Sequence, residues 1–423
     1  VKKYLFSLIL ICNQLFGQPD LSQSPFIPAL PFQSEIISLP GTDSTYVIYF
    51  TYKIPYRLLV FERKDESFSA GVRVTVEILD KDSRMVERNI KDTKITVNNF
   101  EETNDLSLYL QDFLTFKLDK GEYRINTFIS DKNSTDEIPL EPAEVILSGN
   151  KIVQHPLVIQ SQDFICDGQK SFVLANTGGK VPFSGEQFHL IIPLTDTTIT
   201  ELNVKIENNG EVIISKKVSE SYVIPIGVNE CEKHLTITKS SKIVPLRNFV
   251  LRNVNEKLNE GELTLTITNN ENSIEEKYKS KIVWFNKPFS LMDPERAIEL
   301  LSYIESDSVI YPLLKNSSSE YHKILSEYWK KFDPTPETTF NEIMFEYYSR
   351  IDYASREFRS IGKDKKSKSD RGTVYIKFGK PDKIERTSNE QGQVIEIWFY
   401  ANPQRKFSFI DKRGTGNFTL TEN

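Results

Sequence analysis

Glu342, Glu346 and Arg350 follow one another at four-residue spacing, which places them on one row of any helix that carries them. Asp370 and Arg371 stand side by side further along and reach that row if the segment after them packs beside the helix. Two carboxylates brought into one pocket can divide acid and base work, and a guanidinium beside them can hold an anion. Glu346 and Asp370 are therefore the candidate acid and base, and Arg350, Asp370 and Arg371 the candidate binding residues. The same side chains also compose a solvated ladder with a loop-ordering ion pair, which needs no chemistry at all. Other reaction types find less support. His155, His189, His234 and His322 are scattered without ligand spacing, and no HExxH, GxSxG or phosphate loop occurs. Gly414-Thr415-Gly416 reads as a hairpin signal rather than a nucleotide loop. Neither a cofactor nor a metal is expected.

The candidate residues belong to the last third of the chain. Asp293-Pro294-Glu295 is a helix start, followed on one face by Ala297, Leu300, Leu301 and Ile304. A second helix places Tyr321, Ile324, Leu325, Tyr328 and Phe332 together, and Asp333-Pro334 ends it. Thr339 and Glu342 have the spacing of a capping box for a third helix, with Ile343, Tyr347, Ile351, Ala354 and Phe358 as its apolar stripe. The segments TVYIKF, VIEIWFY, KFSFI and NFTL then read as four short strands. Three helices on a small antiparallel sheet make an α+β domain over residues 291–423.

Upstream the pattern is different. From Glu35 to about Phe285 apolar and polar positions alternate in short runs broken by turn residues, which predicts two all-β, immunoglobulin-like sandwiches over 35–148 and 150–286. LDKGEYRIN (Leu118 to Asn126) and LNEGELTLT (Leu258 to Thr266) echo one another, and the first has the residues of a tyrosine corner, with Tyr123 tying its loop to the backbone. The expected fold class is thus multidomain, two sandwiches followed by the α+β unit.

Lys2-Lys3, the apolar run Tyr4 to Cys12 and Gly17 before Gln18 have the regions of a secretory signal peptide over residues 1–17, with 18–34 as a linker. The run is too short to span a bilayer, and Ile11 is too large for the residue before a lipidated Cys12. No other run reaches transmembrane length, so no transmembrane span is expected. Export would leave Cys166 and Cys231, which in an oxidising compartment read as a disulfide, or otherwise as a buried free pair. A net charge of -6 gives no footprint for nucleic acid, and 39% hydrophobic residues suffice for packed cores. The lysine tract 363–368 reads as a solvated loop or a contact for anionic lipid or glycan.

The run DRGTVYIKFGKPDKIE, residues 370 to 385, resembles the GWxTD family of bacterial envelope proteins, named for a Gly-Trp-x-Thr-Asp motif at this junction. FDPTPETTFNE, EYYSRIDYASREF, EIWFY, FSFID and GTGNFTL support the resemblance in order, over roughly residues 291–420. Lys366 and Ser367 stand where that motif has Gly and Trp, Ser369 replaces Thr, and Asp370 is retained. Gly379, Pro381 and Asp382 read as the turn at the end of the TVYIKF strand, with Pro381 fixing φ and Gly379 free to take a left-handed conformation, and Gly372 as a site that a Cβ would spoil. Asp333, Pro334, Asn341 and Glu342 belong to the segments that carry the resemblance and are expected to be structural positions. The resemblance implies an exported protein in the periplasm, at the outer membrane as a peripheral component, or on the extracellular side, with a biochemical role that the family does not define. The favoured expectation is a non-enzymatic binding or assembly protein with an envelope protein or glycan as partner. The alternative is a hydrolase of unrecognised type acting on an envelope polymer.

Overall fold

The computed structural model describes residues 32–105, 107–134, 137–166, 168–270, 274–358 and 369–422. The expected signal peptide, Cys12 and the lysine tract lie outside the described residues. The described residues are mostly β, with their α-helices gathered in the C-terminal part apart from the single turn Phe100–Thr103. Their sheets are antiparallel apart from the short parallel pair of Lys180–Pro182 with Glu275–Val283.

The strand Tyr46–Pro55, YVIYFTYKIP, is buried at nearly every position because its two faces meet different partners. Tyr46, Ile48, Phe50, Tyr52 and Ile54 pack with Val72, Val74, Val76 and Ile78 of the facing sheet. Val47 and Tyr49 join Ile191, Ile226, Val228 and Ile237 from beyond residue 150. A strand covered on both sides reads as a continuous apolar run. Phe188–Leu194 is built the same way, with Phe188, Leu190, Ile192 and Leu194 in one cluster and Ile191 in another. The two β regions therefore share an apolar layer. Backbone bonds stitch them as well, Thr42 N–H to the Lys242 carbonyl and Val244 N–H to the Pro40 carbonyl, both 3.1 Å.

Tyr123 donates its hydroxyl to the Asp119 carbonyl at 3.2 Å, as a tyrosine corner requires. In the echoing segment Leu263 stands in its place, and two asparagines pin the loop instead. Asn209 donates to the Glu260 carbonyl (3.0 Å) and accepts from Glu262 N–H (2.9 Å), while Asn208 accepts from Asn259 N–H (2.8 Å). Cys166 and Cys231 form a disulfide with Cα atoms 6.0 Å apart. It ties the short strand Phe164–Cys166 to the strand Ile226–Cys231.

The helical part begins at Pro294–Leu300, capped by Asp293, whose carboxylate accepts Arg296 N–H at 3.1 Å. A helix at Asp307–Leu314, carrying Pro312, has no counterpart in the sequence reading. Tyr321–Trp329 follows, and then the long helix Glu342–Glu357. The capping box expected of Thr339 and Glu342 is not formed. Asn341 caps the long helix, accepting Met344 N–H at 2.8 Å, because Thr339 is occupied donating to the Leu258 carbonyl at 2.6 Å. The buried stripe is Tyr347, Tyr348, Ile351 and Ala354, and Ile343 is exposed. Trp329, buried at the centre, donates to the Tyr348 hydroxyl.

The largest correction concerns TVYIKF. Asp370–Phe378 is a helix, here called the motif helix, and the first strand of the final sheet is Lys383–Ser388. Val394–Ala401, Gln404–Asp411 and Thr419–Glu422 complete an antiparallel meander in chain order. The motif helix lies between the long helix and this sheet, so only Lys377 within it is exposed. Val374 packs with Trp398, Tyr400, Phe407 and Phe409, while Ile376 joins the helical core. Phe183, Trp284 and Phe340, with ring centroids 5.2 to 5.4 Å apart, join that helical core to the second β region.

Candidate functional site

Ser369 begins the site. Its hydroxyl accepts Gly372 N–H at 3.1 Å and so caps the motif helix, the role that either a serine or a threonine can fill at this position. Asp370, in the first turn, accepts Leu420 N–H at 2.7 Å and thereby holds the last strand. Gly372 is buried, and a Cβ there would lie 2.7 Å from the Ser369 hydroxyl, with Ala354 and Phe358 of the neighbouring helix next nearest. The glycine thus keeps both the cap and the helix contact.

Arg371 reaches the other way, into the sheet. It donates to Glu396 at 3.3 Å and to the Gly416 carbonyl at 3.2 Å, and its guanidinium lies 4.0 Å over the Phe418 ring. Glu396 has 2% of its side chain exposed and also receives Arg386 Nε (2.8 Å) and Trp398 Nε1 (2.8 Å). Burial alone would raise this carboxyl. The bonds from Trp398 and Arg386 and the charge of Arg371 outweigh burial and hold it below the ordinary glutamate value. Sequence reasoning missed Glu396, although a signal existed: it is the one acid in the buried register of VIEIWFY, in phase with Trp398 and Tyr400.

The far end of the motif helix is closed separately. Gly379, at φ 77°, is its C-cap, donating to the Tyr375 carbonyl at 2.7 Å and accepting from the Tyr400 hydroxyl at 3.0 Å. Gly379, Pro381 and Asp382 therefore end a helix and start a strand; they do not turn one strand into the next. Asp382 accepts Ala401 N–H at 2.6 Å and donates its own N–H to the Phe399 carbonyl at 2.9 Å. Asp333, extended before Pro334, accepts Thr335 N–H at 2.9 Å.

The two candidate carboxylates are not brought together. Glu346 pairs with Arg350 at 2.6 Å, and the Arg350 guanidinium lies against Gly379. Asp370 and Arg371 occupy the opposite end of the nine-residue motif helix, about 13 Å away at the helical rise. The long helix and the motif helix run antiparallel, with Ala354 and Phe358 beside Gly372 and Tyr353 stacked on Tyr375 at 4.5 Å. The expected approach of Asp370 to the Glu342, Glu346, Arg350 row is thus reversed end for end. Glu342 turns instead toward Gly185 of the second β region. Asp352 of the long helix accepts the N–H groups of Phe289 and Ser290, the latter at 3.1 Å, and burial raises its carboxyl.

No cluster of histidine, cysteine and carboxylate groups suited to a metal ion occurs among the described residues. Nor is any helix among them long and apolar enough to cross a membrane. The fold and this ionic centre define a mostly β protein that ends in a helix-and-meander unit locked around a buried glutamate. The GWxTD domain family model matches residues 266–422. No curated protein matches it.

Proposed function

We propose that the protein is an exported, non-enzymatic binding or assembly component of the bacterial cell envelope, organised as two immunoglobulin-like sandwiches carrying a GWxTD unit. One observation supports this reading most: the polar groups of the junction motif are consumed in holding helix, sheet and last loop together. Asp370 is taken by Leu420, and Arg371 by Glu396 and Gly416. Catalytic pairs need their two carboxylates about 5 to 10 Å apart across a substrate, as in glycoside hydrolysis. Glu346 and Asp370 are held at opposite ends of a helix, so the hydrolase alternative draws no support from this geometry. The leader-like first residues and the family resemblance supply the envelope part of the reading.

The reading is tested by expressing the chain with its own N-terminus in a bacterial host and fractionating the cells. The recovered protein should begin at Gln18 and sit in the envelope fraction, where reversible cross-linking captures the same protein or glycan species in repeated preparations. Recovery in the cytoplasm with Val1 in place, or capture that differs from one preparation to the next, would contradict it.

A further inference from the structure

Among the described residues the strand Met85–Val97 pairs along one side only, with Ser67–Asp80, and its other side is an open edge. Which residues turn their backbone to that edge follows from the neighbour beyond Ser67–Asp80. The Gly71 carbonyl accepts Lys132 N–H at 2.8 Å and the Ser69 carbonyl accepts from Asn133 at 3.1 Å, so both turn away from Met85–Val97. Alternate residues of a strand turn the same way, so Arg73, Thr75 and Glu77 follow them, and Val72, Val74 and Val76 bond to Met85–Val97. Their partners Thr93, Lys91 and Asn89 therefore turn inward. Arg88, Ile90, Asp92 and Lys94 turn their N–H and carbonyl groups outward.

An open edge invites pairing unless a charge, a proline or a bulge blocks it. Val86 is bulged opposite the step from Ile78 to Leu79 and closes one end. Lys91, in the middle, does not block the edge, because Asp112 of the facing sheet draws its ammonium inward. What stays open is Arg88 to Asp92, centred on Ile90, which is 46% exposed, with opposite charges two residues to either side. Arg88 meets Glu77 at 3.3 Å, and Asp92 meets Arg73 and Lys132, each at 2.8 Å, so both charges are held on the face that Ile90 shares. Read in the opposite direction, the stretch complements itself.

We propose that this edge pairs with the same edge of a second copy of the chain, antiparallel about a two-fold axis through Ile90. Arg88 then stands opposite Asp92 of the partner subunit, Asp92 opposite the partner's Arg88, and Ile90 against the partner's Ile90. Outward-turned residues meet outward-turned residues, which gives about six backbone hydrogen bonds between the copies. A slide of two residues one way sets Arg88 opposite the partner's Lys94; the other way leaves Asp92 opposite the bulged Val86. Larger slides bring Arg88 or Asp92 against itself, and like charges directly opposite destabilise a strand pair. One register therefore stands out. A two-fold contact is closed, so assembly stops at the dimer. Dimerisation through this edge depends neither on export nor on an envelope partner.

Sedimentation of the full chain tests the pairing. The wild type should be a dimer at micromolar concentration, while Arg88→Asp and Asp92→Arg should each be monomeric, since each sets two like-charge pairs across the axis. Mixed in equal amounts, the two variants should form a dimer again, because both pairs then join opposite charges. A cross-link reads the same register without altering a charge, and decides the matter if Asp92→Arg does not fold. Ile90→Cys should bridge to its own copy under mild oxidation, with Cα atoms about 5.5 Å apart. Asn89→Cys, about 7 to 8 Å from its copy, should not. The proposal is overturned by a wild type that is monomeric at every concentration, by a dimer that survives Arg88→Asp, or by folded variants that stay monomeric when mixed. Bridging at Asn89→Cys equal to that at Ile90→Cys would overturn it as well.

Discussion

Glu396→Ala lowers the stability of the final sheet and motif helix by about 3 kcal/mol, because it leaves the Arg371 charge and the Trp398 N–H without their partner. The estimate sits at the lower end of the usual range for breaking a buried pair, since Arg386 is 71% exposed and can turn to water. Glu396→Gln should cost less, as its amide oxygen still accepts one of the three bonds. The wild-type protein carries the same signature in its pH dependence. The Glu396 carboxyl is held below its unfolded value of about 4.5, so the ionised form belongs to the folded state. Its contribution is complete above that value and is lost as pH falls through the lower, folded one. Tryptophan emission from Trp398, or exchange of the Phe409 amide, should report acid loosening of the final sheet. In Glu396→Ala that acid-dependent step should be smaller, against a lower baseline.

The second large effect lies at the other end of the molecule. Removing the disulfide with Cys166→Ser and Cys231→Ser together releases a loop of 65 residues, worth about 4 kcal/mol on the chain-entropy account. One of the two strands it joins is thin in apolar contact of its own, whereas Ile226 and Val228 of the other are buried. Phe164–Cys166 has three residues, with Ile165 exposed. Amides of Phe172 and Ile237, paired in the adjoining ladder, should therefore exchange faster in the double variant, while those of the first β core stay protected. Equal exchange with and without the bond would show that the disulfide does not contribute to the fold in this way.

Some of this architecture was legible in the residues. TYVIYFTYKIP was legible as a strand from its β-branched and aromatic residues, though not as one covered on both faces, and Asp293-Pro294 announced a helix because the cap and the first-turn proline are local chemistry. The motif helix was not legible for a physical reason. Enclosed by the long helix and the sheet, it exposes only Lys377, so its burial alternates at Gly372, Val374 and Ile376 and imitates a strand. Its ends did speak: Ser369 as a cap and Gly379 as a left-handed stop are helix signals that outweigh β-branched content. Lys383–Ser388 was hidden for the opposite reason, since every residue in it is exposed and no apolar register marks it. For the site, the charged residues were visible but their partners were not, because Asp370 with Leu420 and Arg371 with Glu396 meet only through the tertiary fold.

Asp370→Ala, followed at once by thermal unfolding and by capture of envelope partners, tests whether the junction motif serves the fold. Loss of the Leu420 N–H bond frees the last strand, so the melting temperature should fall while capture per folded molecule stays at the wild-type level. A variant that melts with the wild type yet captures nothing would make Asp370 a residue of recognition or chemistry, and would contradict the structural account.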